Sequence, residues 1–249
     1  MELKGAVVLV TGGTGGLGSR ICGAFAREGG RVAIIYQQND ARAREVVEEV
    51  RAAGGQGTPY RCDVTKLDEV EALVERIVGD QGRLDVLVNN AGFNQFVPFP
   101  DTEALTPELF EKILHYNTTA PYYLSRAAAR PMRKHGQGRI VNIASIAGLQ
   151  PSGSSIAYAV SKAALIHLTR CLAKGLAPEV TVNCVAPGLM EGTRMTARLP
   201  DDMVNAGRQG AWLKKAADKE DVAAQVVTFA RSDTITGQTV AIDAGVFAH

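Results

Sequence analysis

The fold of this chain is decided by the stretch AVVLVTGGTGGLG at residues 6–18, where a short apolar run enters a glycine-rich turn. The apolar run Ala6–Val10 is typical of a buried strand, and the pattern after the turn predicts a helix over Gly16–Gly29. Glycines in such a turn let a pyrophosphate approach the backbone, and the N-terminus of the following helix offers free N–H groups. The stretch therefore predicts the opening strand, turn and helix of a dinucleotide-binding fold.

The glycines of this turn fit three different spacings. Gly13, Gly15 and Gly18 satisfy GxGxxG, whereas Gly12, Gly16 and Gly18 satisfy TGxxxGxG. A third spacing, TGxxGxxG, is met by Gly12, Gly15 and Gly18. The turn alone does not choose between them, and the later motifs have to decide.

The rest of the chain alternates short apolar runs with longer helical patterns. Strands are predicted at Ala6–Val10, Val32–Tyr36, Thr58–Cys62, Asp85–Val88, Arg139–Ile143, Thr181–Val185 and Thr239–Ile242. Helices are predicted at Gly16–Gly29, Ala41–Ala53, Lys66–Val78, Pro107–Tyr116, Ala120–His135, Ile156–Ala177 and Lys219–Ala230. Strands this continuously apolar are typical of a parallel sheet covered by helices on both faces. We therefore expect an α/β fold: a single doubly wound Rossmann domain over residues 1–249, with a seven-stranded parallel sheet.

Composition argues against several classes of protein. The 27 basic and 26 acidic residues leave a formal charge of +1, so no overall charge favours nucleic acid or a membrane surface. The four cysteines and four histidines, His249 among them, show no metal-binding spacing, which predicts free thiols and no metal site. The sequence opens with neither a secretory leader nor a membrane-spanning run. We expect a cytoplasmic protein that binds neither nucleic acid nor membrane.

Four further motifs follow the glycine turn in a fixed order. They are NNAG at residues 89–92, Ser145, YAVSK at residues 158–162 and the pair Pro187-Gly188. Together with the TGxxxGxG spacing, this series resembles the classical short-chain dehydrogenase/reductase family, and the resemblance covers essentially the whole chain. It implies a nicotinamide-dependent oxidoreductase, and it selects TGxxxGxG from the three spacings.

The resemblance also implies a role for individual residues. Tyr158 would be the general acid/base, Lys162 its activator, Ser145 a hydroxyl that orients the substrate, and Asn117 the anchor of a proton relay. The implied cofactor contacts are Gly12, Thr14, Gly16, Leu17 and Gly18 in the turn, Tyr36 and Gln37 after the second strand, Asp63 and Val64 beside the adenine, Asn90, Ala91 and Gly92, the pair Tyr158 and Lys162, and Pro187, Gly188 and Thr193 near the nicotinamide.

The chemistry of the central pair can be argued independently. Tyr158 and Lys162 are four residues apart on a predicted helix, so they share one face. A free tyrosine has a pKa near ~10, and we expect the nearby ammonium to lower it toward working pH. A hydride that reaches a carbonyl carbon creates an alkoxide, which Tyr158 can protonate while Ser145 holds the oxygen. We therefore predict hydride transfer between a nicotinamide cofactor and a carbonyl or secondary alcohol.

The end of the second strand bears on the choice of cofactor. The residues Tyr36-Gln37-Gln38-Asn39 contain no acid, whereas an NAD enzyme usually places one there for the ribose hydroxyls. This favours NADP. The basic residues that NADP enzymes of the family often carry are also missing, with Arg42 the remaining candidate, so NAD stays as the alternative.

The substrate is predicted from the resemblance, and the assembly from the resemblance together with the sequence pattern. The chain is similar to 3-oxoacyl-carrier-protein reductases, which makes a carrier-bound 3-oxoacyl thioester a candidate substrate and Arg130 a candidate docking residue, although Glu179 would repel an acidic carrier. The family also implies a homotetramer in which Ala120–His135 and Ile156–Ala177 pack across a two-fold axis. The alternatives are an NAD-dependent alcohol or sugar dehydrogenase, a dehydratase or epimerase, and a non-catalytic dinucleotide sensor. An intact Ser145, Tyr158 and Lys162 argues against the sensor.

A polar stretch at Glu191–Trp212 follows the sixth strand, and we expect it to be irregular. In open parallel sheets the ligand binds at the ends of the strands, so a long stretch there suggests a functional loop. Its apolar residues, which would close over a substrate, are Met190, Met195, Leu199, Met203 and Trp212. The alternative is that they pack on the sheet or on a neighbouring subunit.

Overall fold

Seven strands form one sheet in the computed structural model, which describes residues 1–247 apart from the side chain of Arg198. The strands are β1 (Val7–Val10), β2 (Arg31–Tyr36), β3 (Gln56–Arg61), β4 (Val86–Asn89), β5 (Gly138–Ile143), β6 (Val180–Pro187) and β7 (Thr239–Ile242). Their order is β3-β2-β1-β4-β5-β6-β7, and every neighbouring pair is parallel. The predicted doubly wound α/β class is confirmed. Ala248 and His249, which the predicted domain includes, lie outside the described residues.

Helices cover both faces of the sheet. They are α1 (Gly18–Arg27), α2 (Asp40–Ala52), α3 (Leu67–Gln81), α4 (Pro107–Leu114), α5 (Ala120–Lys134), α6 (Ile156–Leu176), α7 (Asp201–Gly210) and α8 (Lys219–Arg231). One core contains side chains of α1, α2 and α8, and the core on the opposite face contains side chains of α3, α5 and α6. The sheet is thus the middle of three layers.

Strand β1 shows why the predicted strands are so continuously apolar. Val8 and Val10 point into the core of α1, α2 and α8, while Val7 and Leu9 point into the other core. All four are fully buried. Because side chains alternate across a strand and both faces are covered, an apolar residue is needed at every position.

The connection between α4 and α5 differs from the predicted one. A break between two helices was expected around residues 117–119, but α4 runs directly into a π-helical turn, His115–Thr119, that continues into α5. Thr106 caps the start of α4 by accepting from the backbone N–H of Leu109 at 3.3 Å. The extra residue of a π turn changes the direction of side chains, and here it turns Asn117 into the protein interior.

The prediction of an irregular stretch at Glu191–Trp212 is wrong in part, because α7 lies inside it. Asp201 and Asp202 occupy the first turn of α7, where negative charge is favourable to the helix dipole. Gly207 and Gly210 lower its helix propensity and obscure the pattern in the sequence.

Helix α6 is long and apolar enough to cross a membrane by length and composition, with half of that window buried inside the protein. Core helices of soluble proteins have the same length and composition. Its buried residues include Ser161, Lys162, Leu165 and Thr169, which face the sheet rather than the surroundings.

Candidate active site

A cleft of about 660 Å³ opens at the carboxyl ends of the parallel strands, where ligands bind in doubly wound folds. Most of the residues that were predicted from the sequence line it. They are Gly12, Thr14, Gly16, Leu17, Gly18, Tyr36, Gln37, Val64, Asn90, Ala91, Gly92, Ser145, Tyr158, Lys162, Pro187, Gly188 and Thr193. Asp63 and Asn117 are not among the lining residues.

The glycine turn has the shape of a phosphate cradle. Gly12 has a φ of +61°, which side-chain-bearing residues rarely adopt, and a Cβ on Gly18 would collide with the Gly12 carbonyl oxygen. A Cβ on Gly16 would lie 2.6 Å from the carbonyl oxygen of Gly192. These three positions are the ones that TGxxxGxG requires. The backbone stays bare in front of the N-terminus of α1, which suits a diphosphate group.

Thr11 ties the glycine turn to the NNAG turn, a role that sequence reasoning missed. Its Oγ1 accepts from the backbone N–H groups of Asn90 and Ala91, both at 2.9 Å. Asn90 in turn donates from Nδ2 to the Thr11 carbonyl at 2.8 Å. The turns after β1 and β4 therefore form one rigid unit along the cleft. The only signal in the sequence was a threonine directly after the first strand.

Tyr158 and Lys162 lie one turn apart at the start of α6, as predicted. The Lys162 Nζ donates to the carbonyl of Ile143 at 2.9 Å and lies 5.8 Å from the centroid of the Tyr158 ring. Ser155 caps the helix by accepting from the Tyr158 N–H at 3.2 Å, which fixes where the tyrosine enters the cleft. Ser145, two residues after the end of β5, accepts from the N–H of Ala147 at 3.2 Å.

The expected lowering of the tyrosine pKa is not found. Burial raises the pKa of Tyr158 to about 12, and a hydrogen bond with Ser145 acts in the opposite direction. Burial also lowers the pKa of Lys162 to about 8, because a desolvated ammonium is costly. Because burial is the largest cause of both shifts, Tyr158 is a protonated acid near neutral pH.

Asn117 is completely buried behind the cleft and holds the turn that follows β4. Its Oδ1 accepts from the N–H of Phe93 at 2.9 Å, and its Nδ2 donates to the Phe93 carbonyl at 2.9 Å and to the Ser161 Oγ at 3.0 Å. Asp63 likewise faces its own loop, where its Oδ1 accepts from Thr65 Oγ1 at 2.6 Å. Both side chains shape the segments that line the cleft.

An arginine lies beside the end of β2, but it is Arg61 of β3 and not the expected Arg42. Arg42 is held by Glu45 at 3.0 Å and Glu49 at 2.7 Å, so it does not reach back toward the cleft. Arg61 is the paired neighbour of Tyr36 in the sheet, and its Nε donates to the Gln37 carbonyl at 3.2 Å. Register between strands is not visible in a local pattern, so the sequence did not reveal this neighbour.

The segment after β6 lies across Tyr158. The Sδ of Met195 is 3.8 Å from the Tyr158 hydroxyl, and the Nδ2 of Asn94 donates to the Met195 carbonyl at 3.4 Å. The predicted closing residues Met190, Met195, Leu199 and Met203 all line the cleft. Trp212 does not: it is 72% exposed and packs beside Gly245 instead. Lining residues that the sequence did not suggest include Asn94, Tyr116, Arg194 and Val246.

Comparison with known proteins identifies one family. The sequence profile of the short chain dehydrogenase family matches residues 6–204. The chain is 38% identical over 240 residues to a Streptomyces violaceoruber protein named as a ketoacyl reductase of the granaticin polyketide synthase, across 96% of this chain and 95% of that protein. It is 34% identical over 250 residues to a 3-oxoacyl-acyl-carrier-protein reductase of Thermotoga maritima, across 99% of each.

A solved structure agrees in fold over nearly the same length. A variant of actinorhodin polyketide ketoreductase, crystallised with NADPH, matches with a TM-score of 0.88 and 30% identity, across 97% of each chain. The glycine cradle of this chain, its half-buried Tyr158 and its buried Lys162 lie in one cleft of that shared fold. The chain belongs to the short-chain dehydrogenase/reductase family and is an oxidoreductase that uses a nicotinamide nucleotide.

Proposed function

We propose that this protein reduces a carbonyl group with NADPH, or oxidises the corresponding secondary alcohol, with Ser145, Tyr158 and Lys162 as catalytic residues. One observation carries the proposal. Half-buried Tyr158 and buried Lys162 line the same cleft as the bare glycine turn, so that an acid and a dinucleotide site share one space. A redox sensor would need the dinucleotide site but not the acid.

The nicotinamide, when bound, supplies or accepts the hydride. The residues of the chain handle the oxygen and its proton. Ser145 donates a hydrogen bond to the substrate oxygen, and Tyr158 gives it a proton as negative charge develops. The Lys162 ammonium stabilises the phenolate that remains. Asn117 has a positioning role, because it holds the Phe93 turn and Ser161 on either side of the site.

NADP is the proposed nucleotide, with NAD as the alternative. No acid follows β2 before Asp40, and the guanidinium of Arg61 lies at the Gln37 carbonyl, where a 2′-phosphate would gain a charged partner. Calorimetric titration should show tighter binding of NADPH than of NADH. Arg61→Gln should reduce that difference and leave NADH binding unchanged. A wild-type preference for NADH would contradict the proposal.

A 3-oxoacyl thioester is the proposed substrate class, supported by the names of the similar reductases. Docking of a carrier through Arg130 gains little support, because Arg130 forms an ion pair with Glu71 at 3.3 Å. The same carboxylate also pairs with Arg126. Glu179 faces Arg133 at 3.7 Å, so its charge is also partly compensated. We therefore propose a small 3-oxoacyl thioester as substrate, and an acyl-carrier protein is one of the groups that could bear the thioester.

An absorbance assay tests the proposed reaction. The protein is mixed with NADPH or NADH and with acetoacetyl-CoA, the corresponding N-acetylcysteamine thioester or a simple ketone, and the loss of reduced nicotinamide is followed. We expect NADPH-dependent reduction of both thioesters. Absence of turnover with every carbonyl, in either direction, would leave the chain as a binding protein and end the proposal.

The remaining proposals concern where and in what form the enzyme works. We place it in the cytoplasm as one catalytic domain, because its four cysteines are all free and its charge is nearly balanced.

A homotetramer is supported by the exposed apolar side chains of Tyr122 on α5 and Val160 on α6, which are 43% and 42% exposed. Leu213, which is 64% exposed, offers a second apolar surface near the C-terminal edge.

A further inference from the structure

Arg194 is a charged residue of the cleft that the proposed chemistry does not use. Arg194 and Lys162 are the charged side chains among the described residues that line the cleft, and no carboxylate faces them there. Arg194 is exposed to solvent. A cleft whose charges are all positive favours an anionic ligand.

The neighbouring charges of the same segment are engaged elsewhere. Glu191 pairs with Arg208 at 3.0 Å, and the Glu191 carbonyl accepts from Lys219 at 3.0 Å. Lys214 donates to the Gln209 carbonyl at 2.7 Å. Within residues 1–247, Arg194 itself has neither an ion pair nor a side-chain hydrogen bond. Its guanidinium is therefore available to a ligand.

The backbone places Arg194 between the two ends of a bound dinucleotide. Two residues before it, the Gly192 carbonyl lies 2.6 Å from where a Cβ of Gly16 would stand. One residue after it, the Met195 sulfur lies 3.8 Å from the Tyr158 hydroxyl. The glycine turn is where the diphosphate is bound, and Tyr158 is where the nicotinamide reacts.

We propose that Arg194 binds the diphosphate of the cofactor from the side opposite the glycine turn. The inference rests on the proposed function, since it requires a dinucleotide in this cleft. The N-terminus of α1 supplies backbone N–H groups and a partial positive charge, but no full charge. A guanidinium adds that charge and can bind two phosphate oxygens at once. Binding would also draw the segment around Met195 onto the cofactor.

Fragments of the cofactor separate this role from others. 2′-Phospho-ADP-ribose carries the diphosphate, whereas adenosine 2′-monophosphate does not. Arg194→Gln should weaken binding of NADPH, NADH and 2′-phospho-ADP-ribose by about tenfold to one-hundredfold and leave adenosine 2′-monophosphate unchanged. Arg194→Lys should lose less, because it keeps the charge without the bidentate geometry. Arg51→Gln, on the outer face of α2, is the matched control and should change nothing.

Three outcomes would overturn the assignment. Equal affinity of wild type and Arg194→Gln for NADPH would remove it directly. Equal weakening of adenosine 2′-monophosphate would mean that the variant disturbs the whole site. Arg194→Gln could instead raise the KM for acetoacetyl-CoA while the KM for the N-acetylcysteamine thioester and the affinity for NADPH stay unchanged. That result would assign Arg194 to a phosphate group of coenzyme A. If wild type bound no NADPH at all, the proposed function would fall together with this one.

Discussion

At the scale of single residues, burial favours the uncharged form of both Tyr158 and Lys162. Tyr158 has its pKa raised to about 12, and Lys162 has its pKa lowered to about 8. Desolvation is the first cause of both shifts, since each charged form would lose water in the cleft. The tyrosine is thus a proton donor across the physiological range, while the charge of the lysine is sensitive to pH.

The rate of carbonyl reduction should therefore fall as the pH rises through about 8. Below this value Lys162 is protonated and its charge stabilises the phenolate of Tyr158, and above it Lys162 becomes neutral. Tyr158 remains protonated throughout this window because its pKa is about 12. The measurement is kcat/KM for reduction between pH 6 and about 10. Lys162→Met should lose most activity, and its remaining rate should not fall as the pH rises through about 8. A wild-type rate independent of pH across this range would contradict the role of Lys162.

Removal of the acid should cost rate and leave binding intact. Tyr158→Phe deletes one hydroxyl at the end of a ring whose position is set by the Ser155 cap. We expect kcat to fall roughly 10²–10⁴-fold, the range for loss of a general acid, with the Kd for NADPH changed by less than about threefold. Turnover and calorimetry on the same preparation give both quantities. A variant that turns over at the wild-type rate would show that another group supplies the proton.

At the scale of elements, the segment from Leu189 to Lys214 is built differently from the rest of the fold. Its helix α7 buries none of its described side chains, so few apolar contacts hold it. Yet Met195 lies on Tyr158 and the methyl group of Met195 would meet a Cβ of Gly92 at 2.9 Å. A substrate that approaches the hydroxyl of Tyr158 must displace Met195.

We predict that residues 189–214 exchange their amide hydrogens fastest in the free protein and gain protection in the ternary complex. Closure over both ligands would exclude water from the reaction. Hydrogen exchange followed by mass spectrometry measures this, with the β1 strand as an internal reference that stays protected. Unchanged protection of this segment between the free protein and the ternary complex would make these residues a fixed wall of the cleft.

At the scale of the whole molecule, α5 and α6 present apolar surface that the chain itself does not cover. Tyr122 and Val160 are exposed, and Ala163, about one turn after Val160 on α6, is exposed as well. Helices with such faces commonly pack across a two-fold axis, and two such interfaces combine into a tetramer with D2 symmetry.

Light scattering at micromolar concentration should give the mass of four chains. Val160→Glu places a charge in the proposed interface and should shift the protein toward dimers or monomers, because a buried unpaired charge is costly. Arg51→Glu on α2 serves as the control and should remain tetrameric. A monomeric wild type would show that these apolar side chains have another use.

The sequence by itself determined the features that are written in neighbouring residues. Continuous apolar runs such as Val7–Val10 required strands with both faces covered, and the glycine spacing of Gly12, Gly16 and Gly18 required a bare turn. The four-residue separation of Tyr158 and Lys162 put both on one face of a helix. Each of these properties depends only on local geometry, so a reading of the chain could find it.

Only the tertiary structure decided the features that depend on residues far apart in the chain. In the folded chain, Arg61 donates to the Gln37 carbonyl, and Arg42 forms ion pairs with Glu45 and Glu49. Met195 contacts the hydroxyl of Tyr158. The tertiary structure also reversed the expected shift of the tyrosine pKa. The physical reason is the same in each case. Ion pairing, desolvation and steric contact depend on which side chains come into contact in the folded protein, and a local sequence pattern does not specify contacts between distant residues.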